Sequence, residues 1–194
     1  MSKTSTRPEP AVVAFELLEA ATLDEANRAG GAELPPNWGM YRAPTAALEH
    51  WHEGGSLRGD SLLLVEHLAV ELTGCRYQQL GDRAAVQQWL VAFGDDVARA
   101  QQHAHPAGPT AVDILGHIVG EGLAGRGGDG ARLARIGAPY LLYVRDDHEI
   151  EDAREMALTF GLWAAGELAQ LLHDDPARIT AYLTARGAHA ARVR

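Results

Sequence analysis

Apolar residues recur every three or four positions along most of the chain, and this periodicity constrains the fold more than any other sequence feature. The clearest apolar stripe follows Asp82 and consists of Val86, Trp89, Leu90, Phe93, Val97 and Ala100. This spacing places the stripe on one face of an α-helix, as a buried face requires. The alternation typical of β-strands is not evident. The sequence therefore predicts an all-α fold, a compact single-domain bundle of about seven helices with short connections.

Turn-forming and capping residues divide this pattern into segments. Thr22-Leu23-Asp24-Glu25 has the spacing of a capping box and predicts that a second helix begins there. Asp60 is expected to cap a helix that Gly74 ends, and Asp82 to cap the next one. Residues 138–144 fit either a short strand or a buried helical turn, and the turn is favoured. Helices are expected over residues 11–21, 22–29, 45–53, 61–73, 82–105, 110–123 and 147–173 (the longest), with a last short one from Pro176, and irregular structure over 32–44 and 125–130.

The length of 194 residues corresponds to one domain. We expect a disordered leader over residues 1–10, one helical domain over 11–186 and a flexible tail over 187–194. The arginines towards the C-terminal end, Arg186 among them, are interpreted as a solvated surface rather than an anion site.

Charge and composition exclude several partners. The formal net charge of −9 argues against nucleic acid, because phosphate binding needs clustered Lys and Arg. No apolar run is long enough to span a membrane, and the N-terminal residues lack the apolar core of a secretory signal. The lone cysteine, Cys75, excludes an intramolecular disulfide and fits a reducing cytoplasm. Sixteen arginines against one lysine, with abundant Ala and Gly, are typical of a GC-rich bacterial genome.

Three short motifs lie in order along residues 36–77, about a fifth of the chain. They are Pro36-Asn37, then Gly54-Gly55 after a short helix, then Leu72-Thr73-Gly74-Cys75-Arg76-Tyr77 at the end of a longer one. In content and spacing this stretch resembles the carboxymuconolactone decarboxylase and alkyl hydroperoxidase D-like family. The resemblance implies the helical fold of that family and a homo-oligomer of helical subunits.

The chain departs from this family at the residues of its redox chemistry. In redox-active members a second cysteine follows three residues after the first and a histidine about seven after it, and these positions are Gln78 and Asp82 here. The family's acidic residue near the start of the helix falls on Leu63. A thiol pair is needed to reduce a peroxide and resolve the sulfenate, so Cys75 alone cannot close that cycle within one subunit. The resemblance therefore implies the fold without thiol redox activity.

The first candidate catalytic pair is His67 and Glu71, four residues apart on a segment that is otherwise almost entirely apolar. Residues at this spacing share one face of a helix. An imidazole oriented by a carboxylate is the usual arrangement of a general base. Because the polar arc of this helix is narrow, the pair either rims the surface or lines an internal cavity, and a surface ion pair is the favoured alternative.

Asp113 and His117 repeat the pattern, with Glu121 one turn later, and form the best single candidate site. Gly116 and Gly120 flank His117. Glycines at this spacing predict that another helix or a ligand comes unusually close to the imidazole.

Three functions fit these residues. The first is a small-molecule-handling protein that performs acid/base chemistry with His117, Asp113, His67 and Glu71 at an apolar pocket. The second is a non-haem metal enzyme that uses Asp113 and His117 with carboxylates or histidines of neighbouring helices. The third is a non-catalytic binding or scaffolding protein. The sequence identifies no cofactor and no substrate.

Overall fold

The computed structural model describes residues 7–31, 38–100, 107–121 and 128–190. Within these ranges nearly every residue is helical and no strand is present, which confirms the predicted all-α bundle. The described helices are α1 (Pro10–Ala29), α2 (Trp38–Glu53), α3 (Leu57–Leu80), α4 (Arg83–Ala100), α5 (Gly108–Glu121), α6 (Gly128–Tyr143), α7 (Glu149–Leu171) and α8 (Pro176–Ala190). No helix in the described part is both long and apolar enough to cross a membrane.

Helix α3 is the centre of the bundle, since it packs against each helix from α1 to α7. Its 24 residues make it one residue longer than α7, for which the sequence predicts the greatest length. Both helices are rich in small and branched apolar side chains, which let them pack closely along their length. The buried residues that α3 contributes to the core include Leu64, Val65, Leu68, Ala69, Leu72 and Cys75.

Two glycines allow helices to approach closely. A Cβ atom added at Gly161 of α7 would lie 2.9 Å from Cδ2 of Leu17 on α1. A Cβ atom added at Gly94 of α4 would lie 3.2 Å from Cγ1 of Val112 on α5. Any larger residue must displace its neighbour, so these glycines set the α1–α7 and α4–α5 distances.

Three predicted helix boundaries are wrong because they lie inside a helix. Asp60, the expected N-terminal cap, lies in the first turn of α3, which begins at Leu57. Thr22 lies inside α1, where its hydroxyl donates to the carbonyl of Leu18 at 2.6 Å and opens no second helix. Gly74 lies inside α3, which ends six residues later at Leu80. Gly81 is the actual C-cap, with a φ of 80° and its N–H bonded to the carbonyl of Tyr77 at 2.9 Å.

Other predicted boundaries agree with the structure or are partly wrong. Asp82 caps α4, since its Oδ1 accepts the backbone N–H of Ala85 at 2.8 Å. Residues 138–144 form the end of α6 and the residue after it, so the helical alternative is correct. Residues 38–44, expected to be irregular, are helical and include Pro44, and residues 128–130 of the expected loop 125–130 begin α6. Helix α8 includes residues 187–190, where the sequence predicts the start of a flexible tail. Parts of the expected leader, loops, helix ends and tail lie outside the described residues. These parts are residues 1–6, 32–37, 101–106, 122–127 and 191–194.

Candidate functional site

A cavity of about 720 Å³ lies between α3 and α8. Its volume falls in the range typical of small-molecule sites. Gly74 opens directly onto free space, because a Cβ atom added there would meet no other atom within 4 Å. The residues that line the cavity are Val70, Glu71, Gly74, Tyr77, Gln78, Gly81, Tyr182 and Arg186.

The central polar group of this cavity is the carboxylate of Glu71, whose side chain is only 9% exposed. Its Oε1 accepts a hydrogen bond from Nη2 of Arg186. Its Oε2 accepts one from the hydroxyl of Tyr182 at 3.4 Å. A buried carboxylate is tolerated only when it is paired and hydrogen-bonded in this way. The three side chains therefore join the middle of α3 to α8.

Two tyrosines line this cavity, and only Tyr182 contacts the carboxylate of Glu71. The hydroxyl oxygen of Tyr77 is buried, yet it has no partner among the described residues. Buried hydroxyls nearly always have a partner, so this oxygen has capacity for a ligand or a water molecule. Burial raises the pKa of Tyr182 to about 12, and the negative charge of Glu71 adds to the shift. Tyr182 is therefore a hydrogen-bond donor at neutral pH.

Cys75 lies one turn after Glu71 and is buried behind the cavity wall. Burial raises the pKa of this thiol to about 12, and the charge of Glu71 contributes in the same direction. The thiolate is the nucleophilic form of cysteine, so Cys75 is unreactive near neutral pH.

The structure places Glu71 in a different constellation from the predicted one. His67, the expected partner, lies one turn earlier on α3 and is partly exposed. Both oxygens of Glu71 already accept hydrogen bonds from α8. Of the two alternatives for this helix, cavity lining is correct for Glu71. The interpretation of Arg186 as purely solvated is wrong, because its guanidinium pairs with a buried acid.

Asp113 and His117 are a surface pair. Oδ1 of Asp113 lies 3.9 Å from Nε2 of His117, beyond hydrogen-bonding distance. The two side chains are 64% and 40% exposed, respectively. The side chains are adjacent on α5 as predicted, but water surrounds both of them.

The glycines beside His117 do not have the predicted role. A Cβ atom added at Gly116 or Gly120 would meet no other atom within 4 Å. The expected close approach of a neighbouring helix is therefore wrong for the described part of the chain. Glu121, the expected second carboxylate of the site, pairs instead with Arg135 of α6.

A second cavity, of about 580 Å³, lies at the start of α3. Its buried acid, Asp60, accepts hydrogen bonds from Ser56 at 2.8 Å and from Arg7. Arg58 donates to Oε1 of Glu149 at 2.7 Å across the same cavity. These pairs have a structural explanation, since an acid in the first turn is favoured by the helix dipole and the bridges link α3 to α7 and to the N-terminal segment. Glu71 also links two helices, α3 and α8, but it lies in the middle of its helix, where the helix dipole does not favour an acid.

No group of three or more His, Cys, Asp or Glu side chains that could hold a metal ion is found among residues 7–31, 38–100, 107–121 and 128–190. The metal-enzyme alternative therefore gains no support from this part of the chain. Comparison with protein-family models, with curated proteins and with solved structures gives no match. The resemblance over residues 36–77 stays a prediction.

The sequence analysis missed Tyr77, Tyr182 and Arg186 as site residues. Tyr182 and Arg186 are four residues apart, so they share one face of α8. That spacing was a usable signal. What the spacing does not give is the helix that this face meets, because that depends on the packing of α8 in the bundle.

Proposed function

We propose that this chain binds a small organic molecule in the cavity between α3 and α8. The observation that carries the proposal is a cavity of about 720 Å³ around a buried, hydrogen-bonded carboxylate, Glu71. Gly74 leaves open space in the wall of this cavity, and the buried hydroxyl of Tyr77, another lining residue, has no partner among the described residues. A helix-interior glycine costs about 1 kcal/mol against alanine, so open space at Gly74 is retained at the expense of stability.

Binding without catalysis fits this arrangement better than acid/base chemistry. A general base needs a free lone pair aimed at the proton it removes. Both oxygens of Glu71 already accept hydrogen bonds, from Arg186 and from Tyr182. The exposed pair of Asp113 and His117 offers an imidazole, but water surrounds it.

A homo-oligomer, which the family resemblance implies, is not required for this site. Its described walls come from α3 and α8 of the same chain. A single subunit therefore holds every group that the proposal uses.

The test fills the cavity and compares it with a matched surface change. Gly74→Phe places a ring in the open space of the cavity, while Gly116→Phe places one at an equally open glycine on α5. Phenylalanine has a better helix propensity than glycine, so both variants keep their helices. A panel of small aromatic and aliphatic compounds is screened against both variants and the wild type by ligand-observed NMR. We expect compounds that bind the wild type and Gly116→Phe but not Gly74→Phe. The proposal is contradicted if compounds bind Gly74→Phe as tightly as they bind the wild type, or if no compound binds the wild type.

A further inference from the structure

We infer that the α3–α8 cavity selects a small organic cation, a primary amine or amidine attached to an apolar group, which takes the place of Arg186 at Glu71. This inference rests on the proposed function and adds the class of ligand. Three observations support it, namely the charge of the cavity, the burial of Glu71 and the exposure of Arg186.

The charges of the cavity disfavour an anion. Glu71 and Arg186 are the formally charged groups among the described lining residues. An anionic ligand would have to approach the buried carboxylate, while the guanidinium it needs is already occupied. The chain also has a net charge of −9, which concentrates cations near its surface and depletes anions. Glu71 and Arg186 balance each other within the cavity, so the overall charge of the chain is what favours a cation.

The burial of Glu71 prepares it for a cation. Removing a carboxylate from water is the costly step in forming a buried ion pair. That cost is already part of the folded state, since the side chain of Glu71 is 9% exposed before any ligand arrives. An incoming ammonium group therefore loses its own hydration and replaces the bond from Arg186, and it meets an acceptor that Tyr182 already contacts.

Arg186 is the group that can leave. Its side chain is 43% exposed, so its guanidinium lies partly in water, whereas the carboxylate of Glu71 is buried. Helix α8 packs mainly on α1, and this packing does not depend on the ion pair. Exchange of one cation for another leaves the charge at Glu71 unchanged. Arg186 is thus a tethered competitor for the site, and its removal strengthens binding of a free cation.

The test uses three probes of similar size and shape, namely benzylamine, benzyl alcohol and benzoate. Their dissociation constants are measured at pH 7 by NMR titration of the folded, full-length protein. We expect benzylamine to bind the wild type about tenfold more tightly than the alcohol, because a charge-assisted hydrogen bond is about twice as strong as a neutral one. Benzoate is expected not to bind.

Two variants test the exchange itself. Glu71→Gln keeps the shape of the side chain and is expected to remove the preference for benzylamine. Arg186→Gln removes the competing charge but keeps a hydrogen-bond donor, and we expect benzylamine to bind about tenfold more tightly to it. Circular dichroism confirms that each variant is folded, and Gly74→Phe blocks the same cavity if Glu71→Gln is unstable. A purely structural ion pair predicts no benzylamine binding to the wild type.

The outcomes separate this inference from the proposed function. If the alcohol or benzoate binds at least as well as benzylamine, and Gly74→Phe abolishes that binding, the cavity binds small molecules but the cation inference is wrong. The inference is also wrong if benzylamine binding is unchanged in Glu71→Gln, or if it weakens in Arg186→Gln. If no compound of the wider panel responds to Gly74→Phe, the proposed function fails and the inference fails with it.

Discussion

The middle of α3 and the surface of α5 carry the same sequence pattern, an acid and a histidine four residues apart, with opposite results. On α3, Glu71 is buried and bonded by two residues of α8, whereas on α5, Asp113 is mostly exposed and 3.9 Å from His117. The difference lies in what covers each helix. Helix α8 contributes Tyr182 and Arg186 to the carboxylate on α3. A local pair becomes part of a site only where another helix supplies its remaining partners.

The largest expected difference between the two regions is in stability. Glu71→Ala removes the acceptor of Arg186 and Tyr182, so we expect the free energy of unfolding to fall by about 2–3 kcal/mol. Asp113→Ala removes an exposed carboxylate beyond hydrogen-bonding distance, and we expect a change within about 0.5 kcal/mol. Urea denaturation followed by circular dichroism measures both. Equal effects of the two substitutions would remove the distinction between the regions.

The next effect concerns the pH dependence of stability near the cavity. The pKa of Cys75 is about 12 in the folded protein, above the unfolded value of about 8.5. The folded state therefore holds its proton more tightly, and stability is lost as the pH rises from the unfolded value towards the folded one. We expect a loss of about 1.4 kcal/mol per pH unit within that window from this group.

The control for this pH effect is Cys75→Ala, which removes the thiol and leaves other groups unchanged. Urea denaturation of the variant at pH 8, 9 and 10 is expected to show a flatter decline than that of the wild type. A thiol reagent at pH 8 is expected to label the wild type only after unfolding, because the thiolate is the reactive form. Rapid labelling of the folded protein would show that Cys75 is accessible and ionised.

The sequence predicts the helical class well because that class depends on local periodicity, which every helix carries in itself. The cap at Asp82 and the end of α2 before Gly54 are also local, and both are confirmed. Gly74 misleads because its helix continues through it, supported by the packing of α3 against its neighbours. No local pattern indicates that the side chain of Arg186 pairs with Glu71, which is 115 residues away. That contact depends on the tertiary arrangement, as does the choice between surface and cavity at His67 and Glu71.

A smaller effect compares glycines in the two regions. Gly74→Ala and Gly116→Ala each add a methyl group where no other atom lies within 4 Å. We expect each to raise the free energy of unfolding by about 1 kcal/mol through helix propensity. Thermal denaturation measures both. Gly161→Ala is the contrasting control, since its methyl group would lie 2.9 Å from Leu17 and is expected to offset that gain. If Gly116→Ala instead destabilises the protein, another part of the chain must lie close to Gly116, as the sequence predicts beside His117.

The smallest expected effect is that of His117→Ala, and it decides whether the surface of α5 is a site. The side chain is 40% exposed and makes no hydrogen bond with Asp113 at 3.9 Å, so we expect the free energy of unfolding to change by less than about 0.5 kcal/mol. A small effect on stability is also what a functional surface histidine would show, so the decisive measurement is ligand binding. Compounds that respond to Gly74→Phe are expected to bind His117→Ala unchanged, because the two positions lie on different helices and His117 does not line the α3–α8 cavity. Metal content is measured on the same preparations, and we expect the wild type and the variant to agree. Loss of binding, or of a stoichiometric metal, in His117→Ala with the fold intact would instead place the working site on α5 and leave the Glu71 cluster as a structural link between α3 and α8.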